Sequence, residues 1–275
     1  MTHVSRFIAI VVLTTFTAFA AELAPVPDKT VVLTFDDAVK SHRTIVGPLL
    51  KDLGFGATFF VTQSWMKDGN NFMTWQDIGE LHGMGFEIGN HSWTHSNFNT
   101  PESAEKLRIE LVQVDAELAK VNVPKPVTFA WCGNAFGPES VQVLREGGYL
   151  FARRGMQPEQ PYGQIKLGPT IRPGVFDPLL IPTTADAYPA WTLEYFQSVV
   201  SHAKDGNIVV LQFHGVPDIA HPWVHTPPER FQEYMAYLKS EGFNCIALKD
   251  LARYIDPGVL PADPTSQVRY PTPKP

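Results

Sequence analysis

Short apolar runs rich in β-branched and aromatic residues recur along this chain, most of them followed by a segment of helix length. The runs are Thr30–Phe35, Ala57–Val61, Phe86–Ile88, Val127–Trp131, Tyr149–Ala152, Ile208–Phe213 and Phe243–Ala247. Such runs read as strands covered on both faces, and strands alternating with helices give a parallel sheet with helices packed outside it. The intervening segments carry helix signals. Thr44–Leu53 stops at Gly54, and Trp75–Met84 follows the N-cap Thr74 and stops at Gly85. The longest helix, Pro101 to about Val121, repeats Leu107, Leu111, Val114 and Leu118 on one face. Further helices are expected over Pro138–Glu146, Thr192–Ala203 and Pro228–Ser240, and a short one up to Tyr254. From Arg153 to Pro189 the alternation yields to Pro- and Gly-rich sequence, where long loops and irregular strands are expected. Six or seven strands in 275 residues favour an α/β barrel, closed or incomplete. An open doubly wound sheet is the second architecture.

Composition narrows the function. Hydrophobic residues make up 44% of the chain, enough for a large core, while a net charge of −6 without Lys/Arg runs argues against nucleic acid as the main partner. Near the start, Arg6 precedes the apolar stretch Phe7–Ala20, which ends in Ala18-Phe19-Ala20. That is the pattern of a cleaved secretory signal, and the stretch is shorter than the about 20 residues that span a bilayer. The expected layout is a signal over 1–20, a linker over 21–29, a catalytic domain over 30–255 and a Pro-rich tail over 256–275. The protein is then secreted or periplasmic, with no stable membrane insertion after cleavage. In such a compartment Cys132 and Cys245 either form a bridge or stay as two buried free thiols, and the sequence leaves both open. It leaves the oligomeric state open too.

The chemistry starts at the end of the first strand, with the adjacent carboxylates Asp36 and Asp37. Two acids side by side repel each other unless a proton or a cation sits between them; the plain alternative is a solvated Asp-Asp turn. His91 and His95 follow another strand end, at a spacing that puts both imidazoles on one face of a helical turn, and His214 follows a third. The C-terminal strand ends of barrels and open α/β sheets are where active sites assemble. Asp with two His, and open positions for water, suits a first-row divalent metal, and the second Asp is free to take a proton from water.

Thr34-Phe35-Asp36-Asp37, His91-Ser92-Trp93-Thr94-His95 and a late strand-end histidine together resemble the polysaccharide deacetylases, the chitin and peptidoglycan deacetylase group of carbohydrate esterases. The resemblance runs from about Val31 to Leu251 and implies a distorted (β/α)7 barrel. It also implies roles: Asp36 as general base, Asp37, His91 and His95 as metal ligands, and His214 as general acid. The metal implied is zinc, with cobalt, nickel or manganese as alternatives, and the substrate is an acetylated polysaccharide or amino sugar. An N-acetyl amide or O-acetyl ester would be hydrolysed, with the oxyanion met by the metal and a backbone N–H of the turn Trp131, Cys132, Gly133.

Departures from the family pattern leave other readings open. The third motif here is Phe129-Ala130-Trp131-Cys132-Gly133-Asn134, which lacks the family's arginine. Arg153 or Arg154, at another strand end, is the candidate replacement, with Arg154 the residue carried forward. The family's Asp-x-x-Asp-Trp motif is absent, and Gly215 follows His214 where Asp is common. Trp93 and Trp131 are candidate sugar contacts because they lie in motif loops. Trp65, Trp191 and Trp223 read more simply as core, and His221 with His225 as a loop pair. Two rival functions stand beside the deacetylase: a metal-dependent amidase on a small or cyclic amide, and a non-catalytic glycan-binding relative.

Overall fold

A computed structural model describes residues 23–262. The expected signal over 1–20 and the end of the expected tail lie outside the described residues. Nine strands run in parallel: β1 Thr30–Phe35, β2 Thr58–Val61, β3 Glu87–Asn90, β4 Thr128–Ala130, β5 Phe151–Arg154, β6 Ile181–Pro182, β7 Ala185–Asp186, β8 Val209–Phe213 and β9 Asn244–Ile246. Six helices pack around them: α1 Gly47–Leu53, α2 Trp75–Gly83, α3 Pro101–Lys120, α4 Pro138–Glu146, α5 Leu193–Val200 and α6 Pro228–Ser240. No helix among the described residues is long and apolar enough to cross a membrane.

The strand order is β6-β5-β4-β3-β2-β1-β8-β7. β6 and β7 are two ends of one extended segment. Its first half pairs with β5 and its second half with β8, and the amides between them go one to each side, Thr183 N to Arg154 O and Thr184 N to Val210 O. That segment closes the ring. β9 enters beside the first half of β1, on the edge that β2 occupies further along, and this wedge is the distortion of the barrel. The architecture is therefore a distorted (β/α)7 barrel.

Strand periodicity sorts side chains between two compartments. On β1, Val31, Leu33 and Phe35 face the helices, while Val32 packs inside the barrel with Phe60, Ala130, Phe151, Ile181 and Val210. Both faces are apolar because helices cover the outside, which explains the unbroken apolar runs. A Cβ on Gly89 would stand 2.4 Å from the Phe60 ring, so the interior at that level is already full. Boundaries differ from expectation at several elements, including the expected helix 44–53, which divides into a π-helical turn His42–Val46 and α1. β5 starts at Phe151 rather than Tyr149 and extends through both arginines, and the last helical segment, Leu248–Arg253, is a 3₁₀ turn.

The N-terminal end of the barrel is closed by a buried carboxyl. Glu87 accepts from Thr58 Oγ1 at 2.6 Å, Thr128 Oγ1 at 2.8 Å and Lys249 N at 3.0 Å. Burial raises its pKa against those donors. Glu87→Ala leaves two buried hydroxyls and a half-buried amide without this acceptor and is expected to lower stability by about 1–3 kcal/mol. Thermal denaturation would then show a Tm lower by several degrees; an unchanged Tm would refute this role.

Candidate active site

The period that puts Val32 inside the barrel also puts Asp36 at its top, where the strand ends. Asp36 and Asp37 are only 3% and 6% exposed, so the solvated-turn reading fails. The chain leaves β1 through a strained corner, with Asp37 at φ +77° and Ala38 at φ +56°. Left-handed conformations at non-glycine residues cost about 1–3 kcal/mol each and cluster at functional sites.

Each carboxylate has its own compensation. Asp36 Oδ2 receives Arg153 Nη2 at 2.5 Å, and the same guanidinium donates to Gln212 Oε1 and to Thr183 Oγ1 at 3.1 Å. Asp37 has no cation. Its Oδ1 faces His91 Nε2 at 3.4 Å and His95 Nε2 at 3.5 Å, and its Oδ2 faces His214 Nε2 at 3.8 Å. Burial opposes the charge on Asp37, but the close approach of His91 and the other two imidazoles outweighs it and holds the carboxyl far below its usual range.

The orientation of His91 makes this a cation site. Its Nδ1 lies 2.7 Å from Ala130 O, so Nδ1 carries the proton and, in the neutral ring, Nε2 points a lone pair at the Asp37 oxygen. Two acceptors face to face call for a proton or a metal ion between them. Burial disfavours charge on His91, yet Cys132 and Asp37 together raise its pKa well above the usual value. His95 is pushed down to about 4 by burial and by the neighbouring His91, so it stays neutral. With an ion in place of the His91 Nε2 proton, the two imidazole nitrogens and the anionic oxygen are a fitting donor set for zinc or a similar ion.

Cys132 Sγ also lies within 4.8 Å of a nitrogen on each histidine. It sits on the Nδ1 side of His91, 3.6 Å away, where Nδ1 is already committed to Ala130 O. Asp37, which both Nε2 atoms face, is the better third ligand. Cys132 and Cys245 are both free and buried. A bridge is out of reach because Cys132 follows the C-terminal end of β4, whereas Cys245 pairs with Val31 at the opposite end of the barrel.

The histidine loop is not a turn of helix, as its spacing suggested. Ser92 and His95 sit at φ +62° and +52°, and the rings meet edge to face at 4.7 Å. The loop is pinned by Glu110 of α3, a buried carboxylate that accepts from Trp93 N at 2.9 Å, Thr94 N at 3.0 Å and Thr94 Oγ1 at 2.6 Å. As one of several acids on α3, Glu110 has no local pattern in the sequence that marks it for this role.

Three expected site residues are displaced. Arg154 faces away from the barrel interior and binds Glu159 and the carbonyls of Gly155 and Gln157; the arginine on Asp36 is Arg153. Strand alternation separates these neighbours. Trp93 stacks on Trp75, outside the cavity, because the loop carrying it is not helical. Trp131 borders the cavity, but its ring is buried among Phe129 and Phe136, with its indole on Leu179 O and its amide on Arg153 O. It is therefore no oxyanion donor, which leaves the Cys132 and Gly133 amides of that turn.

Asp186, from β7, is the residue the sequence hid. Its Oδ1 lies 3.9 Å from His214 Nδ1, and both atoms are buried without a hydrogen-bond partner. Burial moves the Asp186 carboxyl up to about 6, against the pull of His214 and Tyr188. A two-residue strand end inside Pro-rich sequence offers no motif to find it by. Gly215 is explained by crowding: a Cβ there would lie 2.6 Å from Val39 Cγ1 and 2.7 Å from Asp218 Cα. Above the carboxylates is a cavity of about 620 Å³, lined by Asp36, Asp37, His91, His95, His214, Asp186 and Gly133, with Trp65, Tyr162 and Trp223 in its wall.

Residues 24–152 match the family model described as polysaccharide deacetylase. Poly-β-1,6-N-acetyl-D-glucosamine N-deacetylase of Escherichia coli (strain K12) is 26% identical over 167 residues, 46% of this chain and 25% of that protein. The chain thus spans about a quarter of that relative's length. A family 4 acetyl xylan esterase of Clostridium thermocellum, solved with a cobalt ion, superposes with a TM-score of 0.53 at 24% identity, covering 84% of this chain and 95% of that one. A family 4 pseudoenzyme of Bacillus anthracis superposes at 0.55 with 18% identity, over 84% and 68% of the two chains. These superpositions speak for the barrel alone. The sequence match runs from the linker into β5 and the barrel is shared beyond it, so the chain is similar to the polysaccharide deacetylases over residues 24–152 and has the barrel of family 4 carbohydrate esterases.

Proposed function

We propose that this protein is an exported, metal-dependent deacetylase that removes N- or O-linked acetyl groups from a glycan or amino sugar. The observation that carries the reading is the unpaired Asp37 oxygen facing two imidazole Nε2 atoms, with a second carboxylate beside it held by an arginine. The catalytic unit is residues 30–255, preceded by a leader over 1–20 and a linker and followed by a Pro-rich tail. The cobalt ion of the C. thermocellum esterase and the amino-sugar polymer named for the E. coli relative agree with it.

Asp37, His91 and His95 would hold the metal, with zinc the first choice and cobalt, nickel or manganese as alternatives. When bound, such an ion polarises the acetyl carbonyl and acidifies a nearby water. Asp36 takes the proton of the attacking water on Oδ1, which is buried and has no hydrogen-bond partner, while Oδ2 stays on Arg153. Arg153 thereby supplies the orienting charge that the third motif lacks. The backbone amides of Cys132 and Gly133 receive the negative oxygen that develops at the acetyl carbon. His214 gives its proton to the departing amine or alcohol. Asp186 faces the other ring nitrogen and keeps the ring turned with Nε2 toward the site; such contacts are commonly long in free enzymes and shorten around substrate.

Likeness to a pseudoenzyme shows that this barrel exists without activity, so the choice between active and inactive rests on side chains. The acid pair, both histidines, the strand-end His214 and the buried arginine on Asp36 support the active reading.

Acetate release from chitin oligomers, peptidoglycan and acetylated xylan, measured with and without a chelator, tests the reading. Chelation is expected to abolish release and added zinc to restore it; a fully active metal-stripped sample would end the proposal. Asp36→Asn should lower kcat by about 10²–10⁴-fold while zinc stays bound, as read by metal analysis. Arg153→Met leaves Asp36 buried without its counter-charge, so a stability loss of about 3–5 kcal/mol and a fall in kcat are expected. Arg154→Met should leave kcat near wild type, and equal kcat losses in the two variants would contradict the assignment. Glu110→Ala should weaken zinc binding about 10–100-fold by calorimetry through loss of the loop anchor; unchanged affinity would count against it.

A further inference from the structure

The ring proposed to give up a proton, His214, is loosely held by its own side-chain contacts. Asp186 faces its Nδ1 at 3.9 Å, too far for a hydrogen bond, and Asp37 stands 3.8 Å from its Nε2. Among the described residues that buried Nδ1 has no hydrogen-bond partner. The direction of the imidazole then falls chiefly to the backbone that carries it.

That backbone is tied at four consecutive residues as the chain leaves β8. Phe213 O accepts from Asp36 N at 2.9 Å, His214 O from His42 Nε2 at 3.0 Å and Gly215 O from Thr226 N at 3.0 Å. Val216 N donates to Ser41 Oγ at 2.7 Å. Three of the four partners, Asp36, Ser41 and His42, lie on the chain leaving β1, the strand that pairs with β8. One of them is the proposed base itself.

His42 belongs to none of the motifs that mark the site. It is fully buried, edge-on to Phe35 at 5.6 Å and beside Phe59 at 5.5 Å. Burial pushes its pKa down to about 4, so the ring is neutral and carries one N–H. A carbonyl oxygen faces Nε2, which places the proton there and leaves Nδ1 buried without a partner. A phenyl or alkyl side chain among these rings would leave no such orphaned nitrogen. The ring is also aimed. His42 opens the π-helical turn, its amide donating to Val39 O at 3.0 Å and its carbonyl accepting from Gly47 N. Turns of this kind are rare and gather at functional sites.

We infer that His42 is a positioning residue for the proton donor: its Nε2–H, with Ser41 Oγ beside it, holds the His214 backbone against that of Asp36 and so sets where the donor stands relative to the base. The inference deepens the deacetylase reading and rests on it for the role of His214. It also predicts a selective defect. A misplaced donor slows departure of an amine or a sugar alkoxide, which must be protonated, far more than departure of p-nitrophenolate, which leaves as the anion.

The test compares zinc-loaded wild type, His42→Leu, His42→Gln and Ser41→Ala on an acetylated glycan and on p-nitrophenyl acetate. His42→Leu is expected to lower kcat on the glycan about 10–100-fold, with KM and zinc affinity near wild type, and kcat on the aryl ester by less than about threefold. His42→Gln, which returns an N–H at similar reach, should recover most of the glycan rate. Ser41→Ala should show the same selective loss at smaller size, and it carries the test should His42→Leu not fold. The inference is overturned if His42→Leu and Ser41→Ala turn over glycan as wild type does, if His42→Gln is as slow as His42→Leu, or if both substrates slow together with loss of zinc. Failure of the deacetylase reading would look different: the zinc-loaded wild type itself would release acetate from no glycan.

Discussion

Two buried carboxylates side by side, at the mouth of an apolar barrel, are the constraint around which this structure is arranged. In a low-dielectric setting neither tolerates being left with an uncompensated charge. Asp36 meets the requirement with Arg153, reached from four strands away around the ring. Asp37 meets it with imidazoles, of which His91 is fixed by its Nδ1 on Ala130 O with Nε2 toward the carboxylate. One acid has an arginine as its counter-charge. The other has only imidazoles beside it.

The barrel makes this division possible because its interior changes character along its length. Glu87 and its threonine donors seal one end, Val32, Phe60 and Val210 fill the middle, and Asp36, Arg153 and Gln212 sit at the top. The Arg153 guanidinium stands over the Phe60 ring at 5.5 Å, so the polar layer rests directly on the apolar one. Helix α3 contributes from outside through Glu110, whose carboxylate fixes the loop that bears both histidines. Trp65, Tyr162 and Trp223 then line the cavity above these groups.

Much of this was legible before any coordinates. The alternation of apolar runs and helix signals gave the fold class, and the acid doublet and histidine pair marked the rim, because strand ends are visible as the point where an apolar run meets polar residues. Helix α6 begins and ends where its Pro and Ser signals put it. The misses share a cause. Arg153 and Arg154 are adjacent and chemically identical, and only the facing of β5, inside or outside the barrel, separates them. The four-residue spacing of His91 and His95 fits a helical turn as well as it fits the strained loop actually formed. Trp131 and Trp93 lie in motif loops, yet their rings turn into the core and onto Trp75.

What the sequence determined by itself was local: which segments are strands, where they surface, and which reactive residue types stand at those points, since each depends only on near neighbours along the chain. Which of them meet was decided by the closed ring. Asp186 reaches His214, and Arg153 reaches Asp36, only because the segment 181–186 leaves β5 to join β8 and brings both sheet edges together. That closure depends on hydrogen bonds between residues far apart in the chain, and no pattern read along the sequence records it.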